Sequence, residues 1–256
     1  NLTIVRVETD GPLNNLLFGV GLWGESSGST IDAVVNNFTS QDVSSENSAA
    51  SEIAAVAFAN TTASVNVEVN NVTLNKLSGV SSIYGDPAAL MAVRASRVNG
   101  AEAQVEINAR NAVIADSSAN CLAADVSALF GATPGPGTAN IQSLGGNLSD
   151  DNTCSPYFTE SSDQNNIGNL ASTLGNLSDY GGFIPTIPLL EGSPAIDAGV
   201  DVAGLTTDAR LATRPQGNAF DSGAYESPFT ATVDNPNEDT SSNSNEDRLA
   251  ETGSNT

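Results

Sequence analysis

Short stretches of this chain alternate apolar and polar residues one by one. Val65-Asn66-Val67-Glu68-Val69 and Val105-Glu106-Ile107-Asn108 show the pattern, which places successive side chains on opposite faces of a β-strand. Apolar runs rich in Val, Ile, Leu and Phe occupy 16–22, 53–58 and 90–93, and Gly, Ser, Asn and Asp separate the segments. The pattern predicts many short strands with no helix between them.

These segments recur at a nearly constant spacing. Val35-Asn36-Asn37-Phe38-Thr39 returns 34 positions later as Val69-Asn70-Asn71-Val72-Thr73, and residues 107–111 form a degenerate third copy 38 positions further on. A second set of apolar positions, each 37 residues after the last, is Leu16, Ile53 and Leu90. One repeat of this size cannot bury its apolar face alone, so we expect the repeats to stack as the coils of a parallel β-solenoid.

Asparagine recurs at equivalent positions of the repeats. Stacked Asn amides can hydrogen-bond to one another and support tight turns, so we expect amide ladders along the solenoid. The alternative is surface asparagine in loops, including the N-x-S/T acceptors of eukaryotic glycosylation. The candidate ladders are Asn36/Asn70/Asn108 and Asn37/Asn71.

The charge balance excludes several classes of partner and site. The chain has 30 acidic and 8 basic residues, a formal net charge of −22 and no histidine. Nucleic acid and anionic bilayers are therefore excluded as partners, because both require clustered Lys and Arg. Imidazole bases and the usual zinc sites are excluded as well. No stretch approaches the ~20 apolar residues of a transmembrane helix, so we expect no membrane span.

The two cysteines, Cys121 and Cys154, bracket a loop-like stretch. A disulfide between them would suit an exported protein and would stabilise the fold by roughly 3–4 kcal/mol. Two unrelated buried thiols are the alternative.

A series of motifs in the second half of the chain, over roughly residues 110–226, carries a family resemblance. The chain resembles bacterial surface proteins of the choice-of-anchor group, which implies a right-handed parallel β-helix of pectin-lyase-like shape. Leu211 and Ser222 depart from that family's usual residues, so the final turn is expected to differ locally. The motifs are Asn120-Cys121, Ile141-Gln142-Ser143-Leu144-Gly145-Gly146-Asn147-Leu148-Ser149-Asp150, Thr153-Cys154, Leu174-Gly175-Asn176-Leu177-Ser178-Asp179-Tyr180-Gly181-Gly182, Pro185-Thr186, Leu189-Leu190-Glu191-Gly192-Ser193-Pro194-Ala195-Ile196-Asp197-Ala198-Gly199, Asp208-Ala209-Arg210, Arg214-Pro215-Gln216-Gly217 and Asp221-Ser222-Gly223-Ala224-Tyr225-Glu226.

Charged residues of the same region are expected to pair where the last coil is capped, because an open solenoid end exposes strand edges. They are Asp197, Asp208, Arg210, Arg214, Asp221 and Glu226. The alternative is a Ca²⁺ site formed by Asp197, Asp208 and Asp221, since carboxylate oxygens suit that ion. Otherwise we expect no cofactor.

The C-terminal part of the chain changes composition. Residues 230–248 are polar and too poor in apolar side chains to fold, so we expect them to form a disordered spacer. The β-helix domain before it is expected to span residues 1–229 and to lack its first coils. Leu249-Ala250-Glu251-Thr252-Gly253 then resembles a sortase sorting signal. The resemblance implies cleavage after Thr252, a sortase and the cell envelope as partners, and a location on a bacterial cell surface.

Three functions remain open at this stage. A non-catalytic adhesin, touching a glycan or a surface protein, is the first hypothesis. A lyase or hydrolase of acidic glycans and a passive stalk or surface-layer protein are the alternatives, the first by analogy of fold alone. Arg94, Arg97 and Arg110 fall on neighbouring coils and are the candidate ligand face.

Overall fold

The computed structural model describes residues 2–9, 16–46, 49–80 and 86–231. Nearly all regular structure in these residues is β, with two short 3₁₀ helices at Ser127–Phe130 and Leu170–Thr173. The strands are β1 (Leu2–Thr9), β2 (Leu16–Ser26), β3 (Ser29–Asn36), β4 (Phe38–Ser45), β5 (Ala49–Ala59), β6 (Thr62–Ser78), β7 (Leu90–Ser96), β8 (Glu102–Ala115), β9 (Cys121–Asp125), β10 (Ala139–Ser143) and β11 (Leu148–Ser149).

The strands form two parallel sheets that wind into a β-solenoid of about four turns. One sheet has the order β2-β5-β7-β9, and we call it the flat sheet. The other contains seven strands, in which the long strands β6 and β8 each pair with two shorter strands on one side, and we call it the bent sheet. Every strand pair between coils is parallel, so the predicted all-β parallel β-helix is confirmed.

The bent sheet turns a corner at three asparagines. Asn37, Asn71 and Asn111 all have φ between 52° and 55°, a left-handed conformation that Asn tolerates better than most residues. Inward residues of β6 are Val65, Val67 and Val69 before this point but Val72 and Leu74 after it. The alternation therefore slips by one residue at Asn71, because the left-handed residue redirects the strand.

The corner divides the bent sheet into two halves. We call residues 29–36, 62–70, 102–110 and 139–143 the front half, and residues 2–9, 38–45, 71–78, 111–115 and 148–149 the side half. A second corner closes each coil at Asp42, Lys76 and Asp116, which also have positive φ values of 53° to 65°. Each coil thus has three faces, formed by the flat sheet, the front half and the side half.

The register corrects two details of the predicted repeat. Asn36 faces Asn70 as expected, but Asn70 is followed by Arg110, while Asn108 stands beside Glu68. In the flat sheet Ile53 faces Leu90 as expected, but the residue facing Ile53 in the first coil is Val20 and not Leu16. The spacing from Asn70 to its partner Arg110 is longer than the spacing from Asn36 to Asn70. The sequence pattern therefore placed the third position two residues too early, at Asn108.

The core lies inside the coils and is built by stacked small and branched side chains. Val65 lies against Val105 and Val67 against Ile107, and all four are fully buried. Ala55 and Ala57 of the flat sheet face the same interior. Because equivalent positions stack from coil to coil, each coil completes the apolar surface of its neighbour.

The predicted disulfide is confirmed. Cys121 and Cys154 are bonded, with their Cα atoms 4.9 Å apart. Cys154 and Phe158 pack against the end of the interior core, so this loop covers the C-terminal end of the solenoid. No helix among the described residues is long and apolar enough to cross a membrane.

Only the start of the C-terminal region, residues 165–231, covers the last coil, where Ile167 N donates to Ser149 O; the charged residues expected to cap that coil lie elsewhere. The region lies over the outer surface of the side half, where Val113 and Ala115 pack with Leu170, Ile187 and Ile196. It also binds three successive coils along the asparagine corner: Asn37 Nδ2 donates to Thr207 O, the backbone N of Ala224 donates to Thr73 Oγ1, and Asn111 Nδ2 donates to Val200 O. The reason is that the outward apolar residues of the side half would otherwise be exposed to solvent. The C-terminal end of the solenoid is already covered by the disulfide loop.

Candidate interaction surface

The outer surface of the front half, which we call the front face, is a regular array of polar side chains. Inward residues of β6 and β8 are buried here and outward residues reach solvent in alternation, except Asn70 at the corner, which is buried. Parallel neighbours are about 4.8 Å apart and alternate residues of a strand about 6.6 Å apart, so the side chains form columns along the solenoid. The columns are Thr30/Ser64/Gln104/Thr138, Asp32/Asn66/Glu106/Asn140, Val34/Glu68/Asn108/Gln142 and Asn36/Asn70/Arg110.

The second column alternates carboxylates and amides. Asn66 Nδ2 donates to Asp32 Oδ1 at 2.9 Å, and Asn140 Nδ2 donates to Glu106 Oε1 at 2.9 Å. Each carboxylate is therefore held by an amide from the next coil. This is ladder chemistry of the predicted kind, with acidic residues inserted between the amides.

The neighbouring columns are tied together by Glu68. Asn70 Nδ2 donates to Asn36 Oδ1 at 3.0 Å and is 3.1 Å from Glu68 Oε1. Arg110 Nη1 lies 3.8 Å from the same Glu68 oxygen. The Asn36/Asn70 ladder is confirmed. The predicted Asn37/Asn71 hydrogen bond is not formed, since Asn37 Nδ2 donates to Thr207 O; Asn71 Oδ1 instead accepts from Asn111 Nδ2 at 2.7 Å.

A shallow depression of about 230 Å³ opens at the end of the front face where its strands begin. Its walls are mainly hydroxyl groups, with one carboxylate and one amide. Gln104 is held in place, since its Oε1 accepts the backbone N–H of Thr138 at 2.8 Å. The lining residues are Gly28, Ser29, Thr30, Thr62, Ala63, Ser64, Glu102 and Gln104.

The three arginines of the predicted ligand face do not share a face. Arg94 is buried, and its guanidinium binds Asp125 Oδ2 at 3.1 Å and the carbonyl oxygens of Gly135 and Gly137. Its role is to anchor the 135–137 loop, because the donors of the guanidinium are directed at backbone carbonyls. Arg94 therefore cannot contribute to an open surface.

The other two arginines lie on different sheets. Arg97 stands outside the flat sheet, paired with Glu25 and 5.2 Å from the ring centroid of Phe58. Arg110 alone belongs to the front face. Sequence spacing placed the three on neighbouring coils, but all of them belong to the one coil formed by β7 and β8. Spacing also did not give the direction in which each side chain points.

The acidic residues of the C-terminal region bind donors of their own chain. Asp208 accepts from Arg210 Nη2 at 2.6 Å, Asp221 accepts from the backbone N of Asp197 at 2.8 Å, and Asp197 Oδ1 accepts from the backbone N of Ala219 at 2.8 Å. The three carboxylates considered for Ca²⁺ are thus directed at separate partners. Within the described ranges, no group of three or more His, Cys, Asp or Glu residues is placed to hold a metal ion.

The centre of this network is a buried ion pair. Arg214 Nη1 lies 2.7 Å from Glu226 Oε2, and both side chains are inaccessible to solvent. Burial lowers the pKa of Arg214, opposed by the charges of Glu226, Asp208 and Asp221. Burial likewise raises the pKa of Glu226 and of Asp221. The predicted pairing of these charged residues is confirmed. Removing one partner would leave the other charge buried and unpaired, so the role of the network is structural.

Sequence reasoning missed Glu52, which is fully buried at the start of the flat sheet. Its Oε1 accepts the backbone N–H of Asn75 at 3.1 Å, while Oε2 has no hydrogen-bond partner. Burial raises the pKa of Glu52 to about 8, so the group is protonated at neutral pH. A single acid inside the run Ala49-Ala50-Ser51-Glu52-Ile53-Ala54 was the available signal.

The predicted sorting signal, Leu249, Ala250, Glu251, Thr252 and Gly253, lies outside the described residues, as does the spacer apart from Thr230 and Ala231. No protein-family model, curated protein or solved structure is found to match this chain.

Proposed function

We propose that this chain is a non-catalytic bacterial cell-surface protein that serves adhesion or surface interaction, attached to the envelope through its C-terminal sorting signal. The observation that carries the proposal is the front face. Apart from the exposed Val34, its side chains are polar, several are held in register by hydrogen bonds between coils, and most reach solvent across four strands. Such a surface has the extent and order of a contact surface, with its contact groups fixed before a partner arrives.

Support for the attachment comes from the sequence. Leu249-Ala250-Glu251-Thr252-Gly253 follows a polar spacer, and the disulfide suits an oxidising exterior. The resemblance to choice-of-anchor surface proteins agrees with both. The glycan-lyase alternative gains no support from Arg94, because that guanidinium is directed at backbone carbonyls.

Adhesion is tested with the whole chain, purified in oxidised form and applied to bacterial envelopes and to host cells. The same samples are assayed for new reducing or unsaturated sugar ends. Binding without new ends supports the proposal, whereas cleavage of any glycan overturns it in favour of an enzyme.

Attachment is tested separately, by incubating the chain with a sortase and a short oligoglycine amine. We expect a product joined at Thr252, seen as the corresponding change in mass, and no product from a Thr252→Ala variant. An unprocessed wild-type chain would contradict the anchoring part and leave the adhesion result to stand alone.

A further inference from the structure

We propose that the front face binds an uncharged, hydroxyl-rich chain, a neutral polysaccharide, with one sugar unit in the depression at the start of the strands. This inference rests on the proposed function, since it names the ligand class of that surface. Three properties of the front face carry it: its hydrogen-bonding pattern, its charge and its shape.

The hydrogen-bonding pattern matches hydroxyl groups. In the second column Asn66 uses one of its two amide hydrogens on Asp32, and Asn140 uses one of its two on Glu106. Each amide keeps a second hydrogen, and each carboxylate keeps further acceptor sites. A hydroxyl both donates and accepts, so neighbouring hydroxyls of one chain can donate to a carboxylate and accept from the adjacent amide.

The ladder also fixes these groups before any ligand arrives. The amides of Asn66 and Asn140 each hold the carboxylate of the coil before, and the strands beneath are fixed by the buried core. Little side-chain entropy is then lost when a ligand binds. The columns run along the solenoid, so a linear polymer can repeat the same contacts from coil to coil and gain affinity through multiple weak contacts.

The charge of the front face disfavours the two charged classes of polymer. Its carboxylates are Asp32, Glu68, Glu102 and Glu106, and Arg110 is its guanidinium. A polyanion would meet more carboxylates than cations and be repelled. A polycation would pair with the carboxylates, but it offers no acceptors to the amides of Asn66 and Asn140.

The depression has the size and lining for a single sugar ring. Its volume of about 230 Å³ is smaller than the roughly 300–1,000 Å³ of a pocket for a drug-sized ligand. Hydroxyls of Thr30, Thr62 and Ser64 line it beside Glu102 and Gln104, so it offers several donors and acceptors at close range. Thr30, Ser64 and Gln104 of the first column line it, and the ladder column lies next to them, so a chain that runs along the columns can contact both.

The test compares polymers of different charge on the whole chain. The probes are soluble galactan and mannan as neutral chains, polygalacturonate as a polyanion and polylysine as a polycation, measured by calorimetry or affinity electrophoresis. We expect a neutral polysaccharide to bind best. Its affinity should hold when the ionic strength rises from about 0.01 M to about 1 M, which shortens the screening length from ~30 Å to ~3 Å.

A double variant, Asn66→Ala with Asn140→Ala, removes two donors without adding charge beside Asp32 and Glu106. We expect it to weaken neutral-polysaccharide binding at least about tenfold, since each lost hydrogen bond contributes a factor of roughly five. Asn176→Ala, at an exposed asparagine of the C-terminal region, is the matched control and should bind as wild type does. Circular dichroism and thermal unfolding confirm that both variants are folded.

Three results would overturn the inference: tighter binding of polygalacturonate or polylysine, binding that the double variant does not weaken, or no binding of galactan and mannan at all. These results are distinguishable from failure of the proposed function. A chain that adheres to cells, but whose adhesion neither neutral polysaccharide competes away, contradicts the ligand class and leaves adhesion intact.

Discussion

Strands β6 and β8 each run through both halves of the bent sheet, yet the two halves present different outer surfaces. On the front half the outward residues of β6 are polar and reach solvent, as at Asn66 and Glu68. On the side half the outward residues Thr73 and Val113 are fully buried beneath the C-terminal region. One coil therefore presents two different outer surfaces: the side half is covered by the C-terminal region, and the front face stays open to solvent.

The comparison predicts unequal costs for removing an arginine from the two surfaces. Arg214 lies in the buried network over the side half, so Arg214→Ala leaves Glu226 buried without its partner. We expect the free energy of unfolding to fall by about 3–5 kcal/mol. Arg110→Ala on the front face removes only a half-exposed pair with Glu68 and should cost less than about 1 kcal/mol. Urea unfolding of both variants measures the difference, and equal losses would contradict the comparison.

The interior supplies a second prediction, through Glu52. Its pKa of about 8 in the folded chain lies above its ordinary value of 4.5, so between these values the folded state holds a proton that the unfolded state releases. The stability contributed is complete below pH 4.5, declines as pH rises and is lost above about pH 8. The slope should approach 1.4 kcal/mol per pH unit.

Glu52→Gln keeps the acceptor for the N–H of Asn75 and cannot ionise. We expect this variant to be more stable than wild type above pH 8 by a few kcal/mol and to lose the Glu52 slope. Urea unfolding at intervals between pH 5 and pH 9 provides the measurement. Identical pH profiles for the two proteins would show that Glu52 is not the buried acid responsible.

The corner between the two halves gives a smaller effect. Asn71 has a φ of 53° and accepts a hydrogen bond from Asn111, so Asn71→Ala should cost about 2–3 kcal/mol through backbone strain and a buried unpaired amide. Asn71→Gly relieves the strain and should recover about 1 kcal/mol of that loss. Asn108→Ala on the front face is the control, expected within about 0.5 kcal/mol of wild type. Thermal unfolding that ranks Gly below Ala would contradict the assigned strain.

Particular residues show what the sequence could predict. The alternation at 62–69 and the spacing of Asn37 and Asn71 are local consequences of coil geometry, so strands, stacking and corners were predictable. The pairing of Cys121 with Cys154 followed as well. The failed predictions depended on three-dimensional placement. Arg94 and Arg110 belong to one coil, but the side chain of Arg94 points inward and that of Arg110 points outward.

The polar columns of the front face could have been predicted from the sequence, but the sequence analysis did not identify them. Asp32 and Asn66 are separated by the same 34 positions as the repeat, and their outward direction follows from the phase of Val65 and Val67. The position of the C-terminal region against the side half could not be predicted from the repeat pattern. It depends on contacts such as Ala224 N to Thr73 Oγ1, which join residues 151 positions apart.

The smallest expected effect belongs to the front face ladder itself. Asn66→Ala removes one exposed hydrogen bond to Asp32, so the free energy of unfolding should change by no more than about 0.5 kcal/mol. The matched control is Asn147→Ala, a fully buried asparagine whose Oδ1 accepts from Ala112 N and whose Nδ2 donates to Ala109 O, with an expected cost of about 2–3 kcal/mol. Chemical unfolding compares the two. Equal losses would make the Asp32–Asn66 ladder a structural device like the corner. A negligible cost at Asn66 would show that folding does not require its amide, which is what the proposed contact role of the front face expects.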